Sequence, residues 1–263
     1  MTLLAMAADF AGRALHGVGR LVDRHGTYAF LDARQAELGG VLPLDLDAVI
    51  LAAAAANPDF TFVQIGAHEG DEGDPLSACI CARGLRGVLV EPQEAAFDKL
   101  RRNYADQPQL SFERAAIAPA DGTAKLYRAD PTFWAAHGLP HGIDSQISSL
   151  DPAQIRFHVG LFGGKALAAR ESEYLRFDEI PALTLATLLA RHAITRPNLL
   201  QIDTEGFDFE VIKMIDWVHP PDLIHYETVH LSVADRKASW DMLRANGYRL
   251  FATNVYNTLA VRA

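Results

Sequence analysis

The stretch that most limits how this chain can fold is residues 61–92, TFVQIGAHEGDEGDPLSACICARGLRGVLVEP. Residues 61–65 are a short apolar run that reads as a strand and leads straight into Gly66-Ala67-His68-Glu69-Gly70. Two glycines there let the backbone turn sharply and leave room for a ligand where a Cβ would clash. A helix over residues 75–83 follows, with Asp74 as its cap and Pro75 at its first position. A second apolar run, residues 87–90, ends in Glu91 and Pro92. Strand, glycine turn, helix and a strand tipped by an acid make a nucleotide-binding βαβ unit. The turn offers backbone amides, and an acid about 20 residues on can take both hydroxyls of a ribose.

The glycine spacing sorts the cofactor. A dinucleotide fingerprint is G-x-G-x-x-G, whose middle glycine admits a pyrophosphate. Here the spacing is G-x-x-x-G-x-x-G, with His68 and Glu69 inside it and Asp71, Glu72 and Asp74 close behind. Those four acids repel a diphosphate. A ribose-bearing cofactor with a cationic centre and no phosphate fits better, which describes S-adenosylmethionine. An ordinary tight turn is the bland alternative.

The 263 residues, 49% of them hydrophobic, are enough for one α/β core and an appendage. A net charge of −9 argues against a nucleic-acid partner, because no basic surface is available to neutralise phosphates. Cys79 and Cys81 sit two apart on a helix, too splayed for a disulfide, and read as reduced thiols in a core helix. The first residues lack a basic start and carry Asp9, which makes a poor signal peptide. No run approaches the roughly 20 apolar residues of a membrane span, so the expectation is a soluble, cytoplasmic protein with no membrane partner.

Residues 1–56 are rich in Ala and Leu at helical spacing, with a first helix near residues 3–22 and a second over 45–56 capped by Asp45 or Asp47. They read as an N-terminal helical cap on a main domain spanning 57–263. A homo-oligomer contact through these helices is the alternative. Beyond Pro92, residues 94–104 form an amphipathic helix and 110–118 a third strand, with Ala115 and Ala116 leaving space for a flat ring. Asp121-Gly122 is a hairpin turn signal before a strand over 123–128. Residues 130–178 break the pattern with Pro, Gly, His, Ser and aromatics, including His137, His141, Ser145, Ser148 and Ser149. Loops of that length are usually functional, and this one reads as a substrate lid. Strands over 182–185, 198–202 and 222–226 then alternate with helices over 186–193, 207–215 and 234–245. Two strands, 248–253 and 258–261, close the chain as an antiparallel hairpin on a mostly parallel sheet.

In such a sheet, ligands collect beyond the carboxyl ends of the strands. Asp203 and Glu205 follow one strand there, and Glu227 and His230 follow the next. Buried acids are costly unless something pairs with them, which makes these four the candidate catalytic groups. His230 is the candidate base, held near working pH by flanking carboxylates. Asp203, Glu227 and His230 also offer an O,O,N set for Mg²⁺ or Mn²⁺. Asp208 and His225 read as supporting partners, and Tyr226 as packing.

Four blocks, FVQIGAHEGDEGDPL, GVLVEPQEAAFDKLRRNY, LLQIDTEGFDFEVIK and LIHYETVHLS, in this order and spacing, resemble the FkbM family of S-adenosylmethionine-dependent methyltransferases. The likeness covers roughly residues 60–253, and ISSLDP (residues 147–152) resembles the family's serine block. It implies a Rossmann-like class I methyltransferase fold, a mostly parallel seven-stranded sheet with the C-terminal antiparallel hairpin inserted. It also implies cofactor contacts from Gly66, Ala67, His68, Gly70 and Asp74 of the glycine loop and from Glu91 and Pro92 at the ribose. Ala116 and Ile117 would lie at the adenine, with Ser148 and Asp203 completing the set. His68 departs from the family, where Asn is commoner. The resemblance implies methylation of a hydroxyl on a sugar, polyketide or related natural product, with N-methylation of a peptide or amide as the alternative. A small-molecule, glycan or peptide acceptor is the expected partner. An NAD-type oxidoreductase would need a pyrophosphate cradle, and a non-catalytic binding module would need no cofactor.

Overall fold

The computed structural model describes residues 44–71, 74–140, 146–254 and 256–263. The helix expected near residues 3–22 and its oligomer contact, Glu72 of the acidic loop, and His141 and Ser145 lie outside them.

Helix α1 (Leu46–Ala56) starts at Asp45, whose carboxylate accepts from the Ala48 amide. Its Val49, Ile50 and Ala53 are buried in the same apolar cluster as Phe60, Phe62, Leu199 and Leu223, so this helix packs directly against the sheet. The sheet is built from β1 (Thr61–Ile65), β2 (Arg86–Val90), β3 (Leu110–Glu113), β8 (Leu199–Ile202), β9 (Leu223–Glu227), β10 (Tyr248–Ala252) and β11 (Asn257–Arg262). Its strand order is β10-β11-β9-β8-β1-β2-β3. β9, β8, β1, β2 and β3 pair in parallel, and β11 lies antiparallel between β9 and β10. Connections run outward in both directions from β1 and β8, so the crevice at their carboxyl ends is a topological switch point.

Both faces of the sheet are covered, which is why its strands are continuous apolar runs rather than alternating ones. Val63, Ile65, Val88, Val90, Leu200, Ile202, Ile224 and Tyr226 pack on one face. Phe62, Leu89, Leu199, Leu223 and Leu259 pack on the other. Each such side chain contributes about 1.5–3 kcal/mol by leaving water. One row breaks the rule. Gln64, Gln201 and His225 sit side by side on β1, β8 and β9, all buried. His225 bonds Gln201 (Nδ1···Oε1, 2.5 Å) and Thr253 (Nε2···Oγ1, 2.8 Å), while Gln64 Nε2 donates to Asp74 at 2.8 Å.

The expected third strand over 110–118 is two strands. β3 belongs to the main sheet, whereas β4 (Ala116–Ile117) joins a second sheet ordered β4-β7-β5-β6, with β5 (Gly122–Ala129), β6 (Ser148–Ser149) and β7 (Leu175–Leu183). β7 starts well before the expected 182, because Arg176, Asp178 and Glu179 make its first half polar. Those positions pair across β5 at an exposed face, where Arg128 meets Asp178 at 2.7 Å. The segment expected to be irregular is mostly helical: α4 (Pro131–Ala136), α5 (Pro152–Gly163), α6 (Lys165–Ala168) and α7 (Glu171–Tyr174). Phe133, Trp134, Ile155, Val159, Leu167 and Tyr174 give it an apolar core of its own. Among the described residues no helix is long and apolar enough to cross a membrane.

Candidate active site

A cavity of about 630 Å³ opens at the switch point. It lies at the carboxyl ends of β1, β2 and β8, and every residue expected to meet the cofactor lines it: Gly66, Ala67, His68, Gly70, Asp74, Glu91, Pro92, Ala116, Ile117, Ser148 and Asp203. Sequence reading missed the wall provided by Leu126, Leu150 and Phe207, which come from the second sheet and the turn after β8. Only the pairing of β5 with β7 brings the first of these over the crevice.

The cradle is tied together by its own backbone. The Gly66 and Ala67 amides both donate to Val90 O, at 2.9 and 3.0 Å, and the Asp203 amide donates to Ile65 O at 2.9 Å. Packing within the protein already demands both glycines. Gly66 has φ +81°, and a Cβ there would sit 1.7 Å from the Asp203 carbonyl oxygen. At Gly70, φ +65°, a Cβ would strike the Tyr104 ring at 2.4 Å. His68 is left-handed too, at φ +46°, a region where Asn is tolerated better than most side chains. Its amide donates to Glu91 Oε2 at 2.9 Å, and the Gln93 amide donates to Oε1 at 2.8 Å. Each of those oxygens keeps a second lone pair for a ligand hydroxyl.

Asp74 does not cap the following helix. α2 (Ser77–Arg83) begins beyond it, with Leu76 at the cap position and no side-chain cap bond. Asp74 instead accepts from Gln64 Nε2 and the Leu76 amide, both at 2.8 Å, and from Tyr104 OH at 3.1 Å. In α2, Cys79 is buried but Cys81 is exposed, so only one thiol faces the core. Glu69 is neutralised by Lys99 at 2.6 Å.

Among the described residues, six carboxyl groups line the cavity (Glu69, Asp71, Asp74, Glu91, Asp203 and Glu205) and no Lys or Arg does. Burial pushes Glu91 up to about 7, against the pull of its two amide bonds. Asp203 is also pushed to about 7, first by burial and then by Asp208, Asp74 and Glu91. Burial raises Asp74 as well. The Asp203 carboxylate makes no hydrogen bond or ion pair with any described residue. A cation placed among these groups would favour their charged forms.

Glu205, at the lip of the cavity, is a second left-handed residue with φ +52°. Its Oε2 lies 3.3 Å from His230 Nε2 and 3.8 Å from His158 Nε2, and His230 Nε2 lies 3.5 Å from Glu227 Oε2. Glu227 and His230 do not line the cavity itself; Glu205 joins the two regions. His158, on α5, was missed because nothing in a mixed insertion flags one histidine among several. The Asp151-Pro152 pair does mark the helix start that places it, with Asp151 accepting from the Ala153 amide at 2.9 Å.

Burial overrides the carboxylates expected to hold His230 near neutrality, and with His158 beside it pushes the imidazole down to about 4. The same burial, then Asp203 and Asp208, raises Glu205 to about 8. At pH 7 these two shifts favour a protonated Glu205 beside a neutral His230. The expected trio Asp203, Glu227 and His230 is not gathered as a ligand set. Among the described residues the sets are His158, Glu205 and His230, and Asp203, Glu205 and Glu227. Asp203 faces the cavity, which His230 does not reach.

Asp208 is fully buried and accepts from Thr204 Oγ1 at 2.8 Å and from the Glu227 amide at 3.2 Å, so it ties together the loops carrying Glu205 and Glu227. His225 is no partner of this cluster, since the pleat turns it to the opposite face among the glutamines. Tyr226 packs in the core and meets Ser239 at 2.9 Å.

The family profile described as the methyltransferase FkbM domain matches residues 64–250. Among solved structures, the methyltransferase FkbM of Methylobacillus flagellatus KT is 13% identical with a TM-score of 0.44, the match covering 90% of this chain and 58% of that one. This chain thus spans a little over half the length of that protein. The precorrin-6y C5,15-methyltransferase of Geobacter metallireducens GS-15 is 14% identical with a TM-score of 0.41, covering 82% of this chain and 86% of that one. No curated protein matches the chain.

Proposed function

The chain belongs to the FkbM methyltransferase family, and from that premise we propose that it uses S-adenosylmethionine to methylate a hydroxyl oxygen of a sugar, polyketide or similar natural product in the cytoplasm. The observation that carries this reading is a cavity that, among the described residues, is lined by six carboxyl groups and no Lys or Arg. That lining suits a cationic, phosphate-free nucleoside better than a diphosphate, which weighs against the oxidoreductase reading.

Bound there, the sulfonium supplies an electrophilic methyl group. The chain's own residues do the rest. Glu91 takes the ribose hydroxyls on the lone pairs its two amide bonds leave open. Ala116, Ile117 and Leu126 form the apolar side against which a flat base rests. Asp203, whose carboxylate has no partner among the described residues, would meet the positive charge. His230 takes up the proton of the acceptor hydroxyl as its oxygen is methylated. Glu227, 3.5 Å from the imidazole, stabilises the charge that this creates.

Calorimetric titration of the full chain tests the cofactor. S-adenosylmethionine binds, NAD does not, and Glu91→Ala weakens the former at least about tenfold, the loss of a hydrogen-bonded carboxylate. Binding of NAD alone would overturn the proposal.

A further inference from the structure

The cluster at the cavity lip has a spacing that hydrogen bonding does not explain. His230 Nε2 to Glu205 Oε2 is 3.3 Å, His230 Nε2 to Glu227 Oε2 is 3.5 Å, and His158 Nε2 to Glu205 Oε2 is 3.8 Å. Hydrogen bonds between such atoms run at about 2.7–3.2 Å. Ligand atoms about 2.0–2.1 Å from a tetrahedral Zn²⁺ stand about 3.3–3.5 Å from one another.

The tautomer of His158 points the same way. Its Nδ1 lies 2.9 Å from the Gln154 carbonyl oxygen, which can only accept, so Nδ1 carries the hydrogen. Nε2 therefore turns a lone pair toward Glu205 Oε2, a buried oxygen with no hydrogen-bond partner among the described residues. His158 itself has a side chain only 7% exposed, so water does not intervene freely. The side chain of Gln154 also donates to the backbone carbonyl oxygen of His230 at 3.1 Å, so one residue fixes the His158 ring and the main chain that carries His230. Gly206, at φ +93°, admits it: a Cβ there would lie 2.4 Å from Gln154 Nε2. A carbonyl holding the far nitrogen of an imidazole is how metal-binding histidines are oriented.

We propose that His158, Glu205 and His230, with Glu227 alongside, bind one divalent transition-metal ion of the Zn²⁺, Co²⁺ or Fe²⁺ class. Two imidazoles and a carboxylate favour these over Mg²⁺, which prefers an all-oxygen shell. This goes beyond the methyl-transfer reading and stands without it. If that reading holds, the ion would take the acceptor oxygen as a further ligand and lower its pKa, the proton passing to solvent while His230 serves as ligand; in the metal-free protein His230 would take the proton directly.

Chelator-treated, untagged full-length protein titrated with Co²⁺, without cofactor, tests the site. One equivalent binds with the intense visible bands of a four-coordinate ion, and Zn²⁺ displaces it. His158→Gln and Glu205→Gln each weaken binding at least about tenfold, whereas Cys81→Ser leaves it unchanged. Circular dichroism confirms that each variant is folded. Absence of Co²⁺ and Zn²⁺ binding, or binding that survives both cluster variants, overturns the proposal. Cofactor titration of the same metal-free protein reports separately on methyl transfer, so failure of either reading is seen on its own.

Discussion

His68 and Glu205, both in the left-handed region, flank the cavity from opposite loops. Non-glycine residues there carry local strain of about 1–3 kcal/mol, stored where a site needs side chains aimed inward. His68→Asn should relieve part of it, raising stability by a few tenths to about 1 kcal/mol with cofactor affinity within a few-fold, as read by denaturant melts and calorimetry. Gly66 is the opposite case. With a backbone oxygen 1.7 Å from the position of a Cβ, Gly66→Ala should cost more than about 4 kcal/mol and leave little folded protein at 37 °C. For His230→Ala the expected outcome is a fall in turnover of about 10² or more, with cofactor affinity nearly unchanged. Wild-type turnover would remove His230 from the chemistry.

At the scale of elements, α5 is the piece of the insertion that reaches the cavity lip. It carries Gln154 and His158 to the lip, and its entry is set by Asp151 and Pro152. Asp151→Ala should destabilise the helix by about 1 kcal/mol. Because α5 touches the cluster more than the cradle, the same variant should lower turnover while leaving S-adenosylmethionine binding intact. Equal losses in both would show that the helix serves only the fold. The buried polar row Gln64, Gln201 and His225 does related work from below, since Gln64 holds Asp74 in place at the cavity wall.

For the whole molecule, the sign of the pH response follows from the raised carboxyls. Glu91 and Asp203 sit near 7 and Glu205 near 8 in the fold, all above their unfolded values. The folded state therefore holds more protons than the unfolded one, and stability falls as pH rises through these values. The lowered histidines act oppositely, but only below their unfolded value of about 6.5. The ligand-free protein should lose thermal stability from about pH 6.5 to about pH 8. Over the same window a bound cationic cofactor should add progressively more, because it favours the ionised carboxylates. A melting temperature flat across this range, with and without cofactor, would contradict the burial ascribed to these groups.

What the sequence by itself determined was the parallel core, the glycine loop, Glu91, and the acids after the fourth and fifth core strands. Each of these is written locally, in an apolar run followed by polar residues at a strand end, and strand ends in such sheets converge on one crevice. Tertiary structure alone decided the rest. Residues 110–118 divide between two sheets because β7 offers Ala116 and Ile117 a parallel partner that no local pattern announces. The insertion supplies His158 because a helix folds back over the crevice, and a contact between Glu205 and a residue so far from it in sequence leaves no trace in either segment. His230 likewise has the ordinary titration of an imidazole on paper; desolvation, which depends on everything packed around it, is what keeps the proton on its neighbour.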